Sequence, residues 1–203
     1  MTENSGKVRR FPLPEGSAPE PLPRLKKPAA RKPASDEEEK LAAEALIAKF
    51  AALNKEDYAG LSDSPRRRSR EAALLLLYQM EMGGEDWQLA EKVLEDVELS
   101  PECAYFAKEL AHNAAADKEY SIEMIGKYAR DWTVERFASI DRCILYLAVS
   151  EMRRDESDNA AVIINEAIEM AKKFGDENSG PFINGILDAI RIREFSAKAA
   201  TEK

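Results

Sequence analysis

The residues best suited to chemistry in this 203-residue chain fall in two short stretches. The first is Arg66-Arg67-Arg68-Ser69-Arg70, preceded by Ser64-Pro65. A capping residue followed by proline marks a helix start, which places all four arginines in the first turns. Cations there oppose the helix macrodipole at a few tenths to ~1 kcal/mol each, a poor arrangement for stability alone. An anion arriving at that end would meet guanidinium groups, unpaired backbone N–H groups and the positive dipole end together. Phosphate fits best, because arginine offers it two parallel donors. The competing reading is a solvated turn neutralised by Asp63 and by an Arg67–Glu71 pair at i,i+4. The residues alone leave both open.

The second stretch is Lys172-Lys173-Phe174-Gly175-Asp176-Glu177-Asn178-Ser179-Gly180-Pro181-Phe182. It joins two helical patterns, so its polar side chains face solvent, while Phe174 is expected in the core and Gly175 in a left-handed C-terminal position. Phe182 falls in the first turn of the following helix. It reads either as an edge packing residue or as a platform on which an unpaired base stacks.

Other candidates carry less. Asp176 and Glu177 lack the spacing of a calcium loop and read as a solvated turn. Glu166 and Glu169, three apart on one helix, are an ordinary surface arrangement and no acid/base pair. His112 has no nucleophile motif near it and reads as surface or half-buried. Cys103 and Cys143 read as small buried hydrophobes. With two cysteines and one histidine in the whole chain, there is neither a metal-ligand spacing nor a disulfide framework. No glycine-rich phosphate loop occurs. No catalytic constellation and no cofactor are expected.

The elements that must hold these residues are all helical. The first folded helix runs from Pro65 through four consecutive leucines, Leu74 to Leu77, to Gly83-Gly84; that run implies burial on more than one side. A second spans roughly residues 87–97. Ser100-Pro101 opens a third that runs to about residue 129 with a break near Ala116-Asp117, and Tyr105, Phe106 and Leu110 are its expected core positions. Residues 139–154, 160–174 and 179–190 close the fold with apolar stripes at helical spacing. No window alternates as a strand does.

Charge divides the chain differently. Residues 1–33 hold 8 Lys/Arg against 3 Glu, and seven of the ten prolines lie in 12–33. Such a segment buries too little apolar surface to offset its ordering entropy, so residues 1–34 are expected to be disordered. Residues 35–65 form an acidic extension with a helix expected over about 36–54, its stripe marked by Leu46, Lys49, Phe50 and Leu53. The remaining 66–203 is the folded domain. Its net charge of −8, equal to that of the whole chain, excludes a broad basic field that coats nucleic acid but not a local basic site. No apolar run approaches a membrane span and no signal core opens the chain, so a cytoplasmic protein is expected.

Five stretches, in order, resemble the NusB family: Arg66 to Tyr78, residues 134–148 (Val-Glu-Arg-Phe-Ala-Ser-Ile-Asp-Arg-Cys-Ile-Leu-Tyr-Leu-Ala), residues 163–169 (Ile-Ile-Asn-Glu-Ala-Ile-Glu), Ala171 to Ser179, and residues 182–188 (Phe-Ile-Asn-Gly-Ile-Leu-Asp). The resemblance covers 66–190. It implies an all-α helical bundle of two helical subdomains, here with an N-terminal extension that typical members lack. It implies no enzyme but a transcription antitermination factor. Such a factor binds boxA RNA of ribosomal-operon leaders jointly with NusE, a small-subunit ribosomal protein, and joins NusA, NusG and RNA polymerase. The RNA-binding residues it implies are Arg66, Arg67, Arg68, Arg70, Lys172, Asn178, Ser179 and Phe182, with Tyr78 near the NusE-facing surface. Asp141, Arg142, Asn165 and Asn184-Gly185 resemble structural signature positions. Asn178 stands where the family usually has an acid, and Pro181 where a basic or polar residue is common.

Two other classes compete. The same helical domain occurs ahead of ribosomal-RNA cytosine methyltransferases, a reading that needs a downstream Rossmann-like domain. A protein-only helical adaptor would use the arginines to hold an acidic partner. The family includes monomers and homodimers, and the sequence leaves the oligomeric state open.

Overall fold

Four successive leucines cannot share one face of a helix with 3.6 residues per turn, so the helix that carries them must be surrounded. In the computed structural model it is: every residue from Glu71 to Tyr78 is buried. The structure describes residues 64–195 apart from 84–85, 93, 95–98, 130–132 and 155–158, together with 37, 41, 44, 45 and 48. The expectations for the basic tail 1–34, for Asp63 and for the stripe Leu46, Lys49, Phe50 and Leu53 lie outside the described residues. Residues 37, 41, 44, 45 and 48 are helical and those sites are exposed.

Among the described residues the regular elements are all helical. They are α1 (Pro65–Gly83), α2 (Trp87–Lys92), α3 (Pro101–Ala116), α4 (Lys118–Tyr128), a 3-10 turn (Val134–Arg136), α5 (Ser139–Arg154), α6 (Ala160–Phe174) and α7 (Ser179–Ile190), which widens into a π turn at Arg191–Phe195. Local chemistry explains the boundaries. The Ser100 hydroxyl accepts a bond from the Cys103 N–H at the start of α3, with Pro101 at the first helical position. The Asp86 carboxylate does the same for the Gln88 N–H at the start of α2. Each satisfies a donor that has no partner inside its own helix.

Two helices are enclosed along their middle turns. α1 packs on α2, α3 and α5, while α5 packs on α1, α3, α4, α6 and α7. The long buried run of α5, from Cys143 to Ser150, matches that of α1. Around this pair, α1 to α3 form one group and α4 to α7 another, and a single apolar core runs through both. Asp117 holds the kink between α3 and α4. Only 5% exposed, it accepts bonds from the Ser150 hydroxyl at 2.8 Å, Arg153 Nη1 at 2.7 Å and Arg154 Nε at 2.9 Å. A buried carboxylate needs such partners, and here they come from the end of α5.

Three expectations are corrected. Tyr105 is 70% exposed; it shares a face of α3 with Glu102, Glu109 and His112, all exposed, whereas Leu110, Ala107 and Ala111 point inward. Cys103 is only half-buried, its Sγ 3.6 Å from the Pro65 carbonyl, while Cys143 is fully buried. Gly175 has φ −87° and ψ −164°, an extended and not a left-handed conformation. Glycine is needed there for space: a Cβ would lie 2.5 Å from Ser179 Oγ and 2.7 Å from the Ala171 carbonyl oxygen.

Candidate nucleic-acid interface

The arginines at the start of α1 do not point one way. Arg66 is exposed, with its guanidinium stacked 4.1 Å over the Phe106 ring. Arg67 reaches across to α6 and donates to Glu166 from Nε at 2.9 Å and Nη2 at 2.8 Å. Arg70 turns toward α5 and donates to Glu151 from Nε at 2.9 Å and Nη2 at 2.5 Å. Arg68 is half-buried on the same helix. The Arg67–Glu71 pair expected from i,i+4 spacing is replaced by a longer-range one, because Glu71 accepts from Lys173 Nζ at 2.8 Å.

These pairs offset the adverse dipole interaction at the helix start with carboxylates from other helices. Hydrogen bonds to Glu166 raise the Arg67 guanidinium above its usual range and outweigh the partial burial that pulls it down. For Arg70, burial is the larger single influence and pulls it down, but the Glu151 bond and charge together more than offset it. Arginine therefore stays charged at both positions. The pair with Glu166 uses only the Nε–Nη2 edge of Arg67, so its Nη1 edge is not engaged by that carboxylate.

The second stretch meets the first through α6. Lys172, exposed, donates to Glu169 at 2.7 Å; Glu169 also acts electrostatically on Arg67. Lys173 ties the same turn to Glu71. A Cβ on Gly180 would lie 3.7 Å from Lys172 Cγ, which sets the start of α7 against the end of α6. Arg67, Glu166, Glu169 and Lys172 therefore form one cluster beside the start of α7, although Arg67 and Lys172 are 105 residues apart in sequence.

The loop sorts the remaining candidates. Asn178 is exposed, and its N–H donates to Asp176 Oδ1 at 2.8 Å. Ser179 is buried, its hydroxyl accepting from the Asp176 N–H at 3.0 Å, so it shapes the loop from within. Phe182 is 6% exposed and meets Phe137 edge-on at a centroid distance of 4.9 Å. The 3-10 turn roofs the start of α7, and Phe182 is a core residue in this state and no open stacking platform. Tyr78, 5% exposed, lies beneath the surface and not on it, because α1 is central.

Glu151 and Glu166 are the arginine partners that residue types alone did not identify. Glu166 and Glu169 had a signal in the charged stripe of α6 they share with Lys172. Nothing local links Arg67 to a carboxylate 99 positions away.

The fold and this face define the class: a small all-α binding protein that gathers cations from a helix start and a distant helix–loop junction. The model of the NusB family matches residues 67–191, and the chain belongs to that family. The transcription antitermination protein NusB of Symbiobacterium thermophilum is 37% identical over 147 residues, 68% of this chain and 95% of that protein. NusB of Koribacter versatilis is 39% identical over 135 residues, 66% of this chain and 92% of its own length. Among solved structures, T. maritima NusB superposes with a TM-score of 0.59 at 33% identity, covering 70% of this chain and 100% of that one. A crystal structure of the antitermination factors NusB and NusE in complex with dsRNA gives 0.57 at 27%, covering 64% and 97%. Membership makes this chain an antitermination factor and not an enzyme. No described helix is long and apolar enough to cross a membrane.

Proposed function

We propose that the chain binds boxA-type RNA jointly with NusE, as part of a cytoplasmic antitermination complex that includes NusA, NusG and RNA polymerase. The observation that carries this reading is the shared face formed by the start of α1 and the α6–α7 junction. The outer edge of Arg67, Lys172 and Asn178 are the RNA-contacting groups on that face, with Arg68 beside them and Arg66 flanking it from the α3 side, where it stacks on Phe106. Arg70, Ser179 and Phe182 serve RNA indirectly, by holding α1 and the loop in place. Tyr78 supports the NusE-facing side from underneath. The reading as a whole is supported by a NusB relative solved with NusE and dsRNA that has the same fold.

A partner is physically required. The folded part carries −8, so RNA approaching anywhere else is repelled, and a few phosphate contacts give only weak, salt-sensitive binding. NusE supplies the missing surface. The test is titration of boxA RNA into the full chain with and without NusE at several salt concentrations. Arg66→Ala with Lys172→Ala should weaken binding about tenfold and flatten the salt dependence. Binding that is unchanged by this double substitution would overturn the site, and NusE binding without any RNA binding would make the chain a protein-only adaptor.

A further inference from the structure

The cations of the shared face already have anions beside them. Glu166, with its side chain 12% exposed, grips Arg67 through two hydrogen bonds. Glu169, one turn on and more exposed, holds Lys172 at 2.7 Å. Lys172 in turn draws the Glu169 carboxyl below the usual carboxylate range, and Arg67 adds to that effect. Glu169 thus acts on both the cation from α1 and the cation from α6, as a phosphate touching both would, while Glu166 occupies one edge of the α1 cation. A carboxylate presents two oxygens to a guanidinium as a phosphate does.

We infer that Glu166 and Glu169 are built-in stand-ins for RNA phosphates, positioning Arg67 and Lys172 while competing with RNA for them. The inference rests on the RNA-binding reading above and adds a regulator to that site. Each phosphate that binds must displace a carboxylate or accept the outer edge of an occupied cation. Free affinity is thereby held low, and any RNA, whatever its sequence, meets the same barrier, because phosphate contacts carry no sequence information. The pairs also keep both long side chains ordered in the unbound protein, which reduces the entropy lost when RNA arrives.

The full chain, with NusE present, is titrated with boxA RNA and with a scrambled RNA of equal length across a salt series. Wild type, Glu169→Gln, Glu166→Gln and Glu119→Gln are compared. Glu119 is exposed on α4, whose main packing partners are α5 and α7, so it controls for the loss of one negative charge. Glu169→Gln should bind both RNAs about threefold tighter than Glu119→Gln does, as expected for release of an exposed pair. Glu166→Gln should gain about tenfold, as a two-bonded charged pair is lost. In each case the salt slope should steepen by about 0.7, the increment for one phosphate on a single strand. If Glu166→Gln does not fold, Glu169→Gln carries the test alone. Equal gains for Glu169→Gln and Glu119→Gln overturn the inference, as does a gain confined to boxA or weaker binding by Glu169→Gln. If wild type binds RNA with NusE present and any of these overturning outcomes follows, the site stands and the regulator falls; if none of the four proteins binds RNA even with NusE present, both fall.

Discussion

Arg70 and Glu151 bind each other through three short N–O contacts between α1 and α5, with both side chains nearly withdrawn from solvent. Arg66, four residues earlier and also at the start of α1, is exposed and stacks on Phe106. The same residue type thus does two jobs on one helix, and the substitutions that separate them differ in kind.

Arg70→Ala should cost about 3 kcal/mol of stability, since it strands a Glu151 carboxylate that is largely withdrawn from solvent. Arg66→Ala removes only an exposed cation–π contact and should cost about 0.5–1 kcal/mol. Urea denaturation of the two variants measures the difference. Arg70→Ala with Glu151→Leu should recover part of the loss, because the unpaired charge is gone.

At Gly175 the substituent and not the backbone conformation sets the cost. Gly175→Ala should destabilise by about 1–3 kcal/mol, because its Cβ drives into Ser179 and the Ala171 carbonyl. Gly175→Asn should be no better, although asparagine relieves strain at a left-handed site. A thermal melt in which asparagine outperforms alanine would contradict the extended geometry.

Phe182 should behave as core. Phe182→Ala is expected to lose about 3–5 kcal/mol, and any accompanying loss of RNA binding follows from a disturbed α7 start. Phe182→Leu, which keeps most of the volume, should retain RNA affinity within about twofold while costing less than 2 kcal/mol. A large affinity loss in a fully folded Phe182→Leu protein would restore a stacking role.

The two thiols should react very differently. Cys143 is completely buried and burial pushes its thiol well above the ordinary range, so the reactive thiolate is scarce and enclosed. Cys103 is half-buried near the surface. Alkylation of the native protein followed by mass spectrometry should label Cys103 first and Cys143 only on unfolding. Labelling of both at equal rates would mean that α5 opens readily.

Much of the fold is legible in the residues themselves. Ser100-Pro101 starts α3, the break near Asp117 divides α3 from α4, and the stripes of α5, α6 and α7 end where the structure ends them. The four leucines of α1 announce an enclosed helix. The candidate site is legible only in part. The Arg66–Arg70 stretch and the Lys172–Phe182 stretch stand out by residue type, but which of their members face outward does not. Tyr105 illustrates the difficulty: next to Phe106 in sequence, it is turned by about 100° around the helix and ends on an exposed, acidic face.

Caps, prolines and apolar periodicity act between residues within about four positions of each other, so the sequence by itself determined the helices, their order and the family they compose. Tertiary structure alone decided what the arginines do. Arg67 finds Glu166 and Arg70 finds Glu151 across 99 and 81 positions, and such pairs exist only once α5 and α6 are brought beside the start of α1. For the same reason Phe182 and Tyr78 lie inside: whether a side chain at a helix edge is buried depends on the neighbour that covers it. The Phe137 turn and the packing around α1 provide those neighbours.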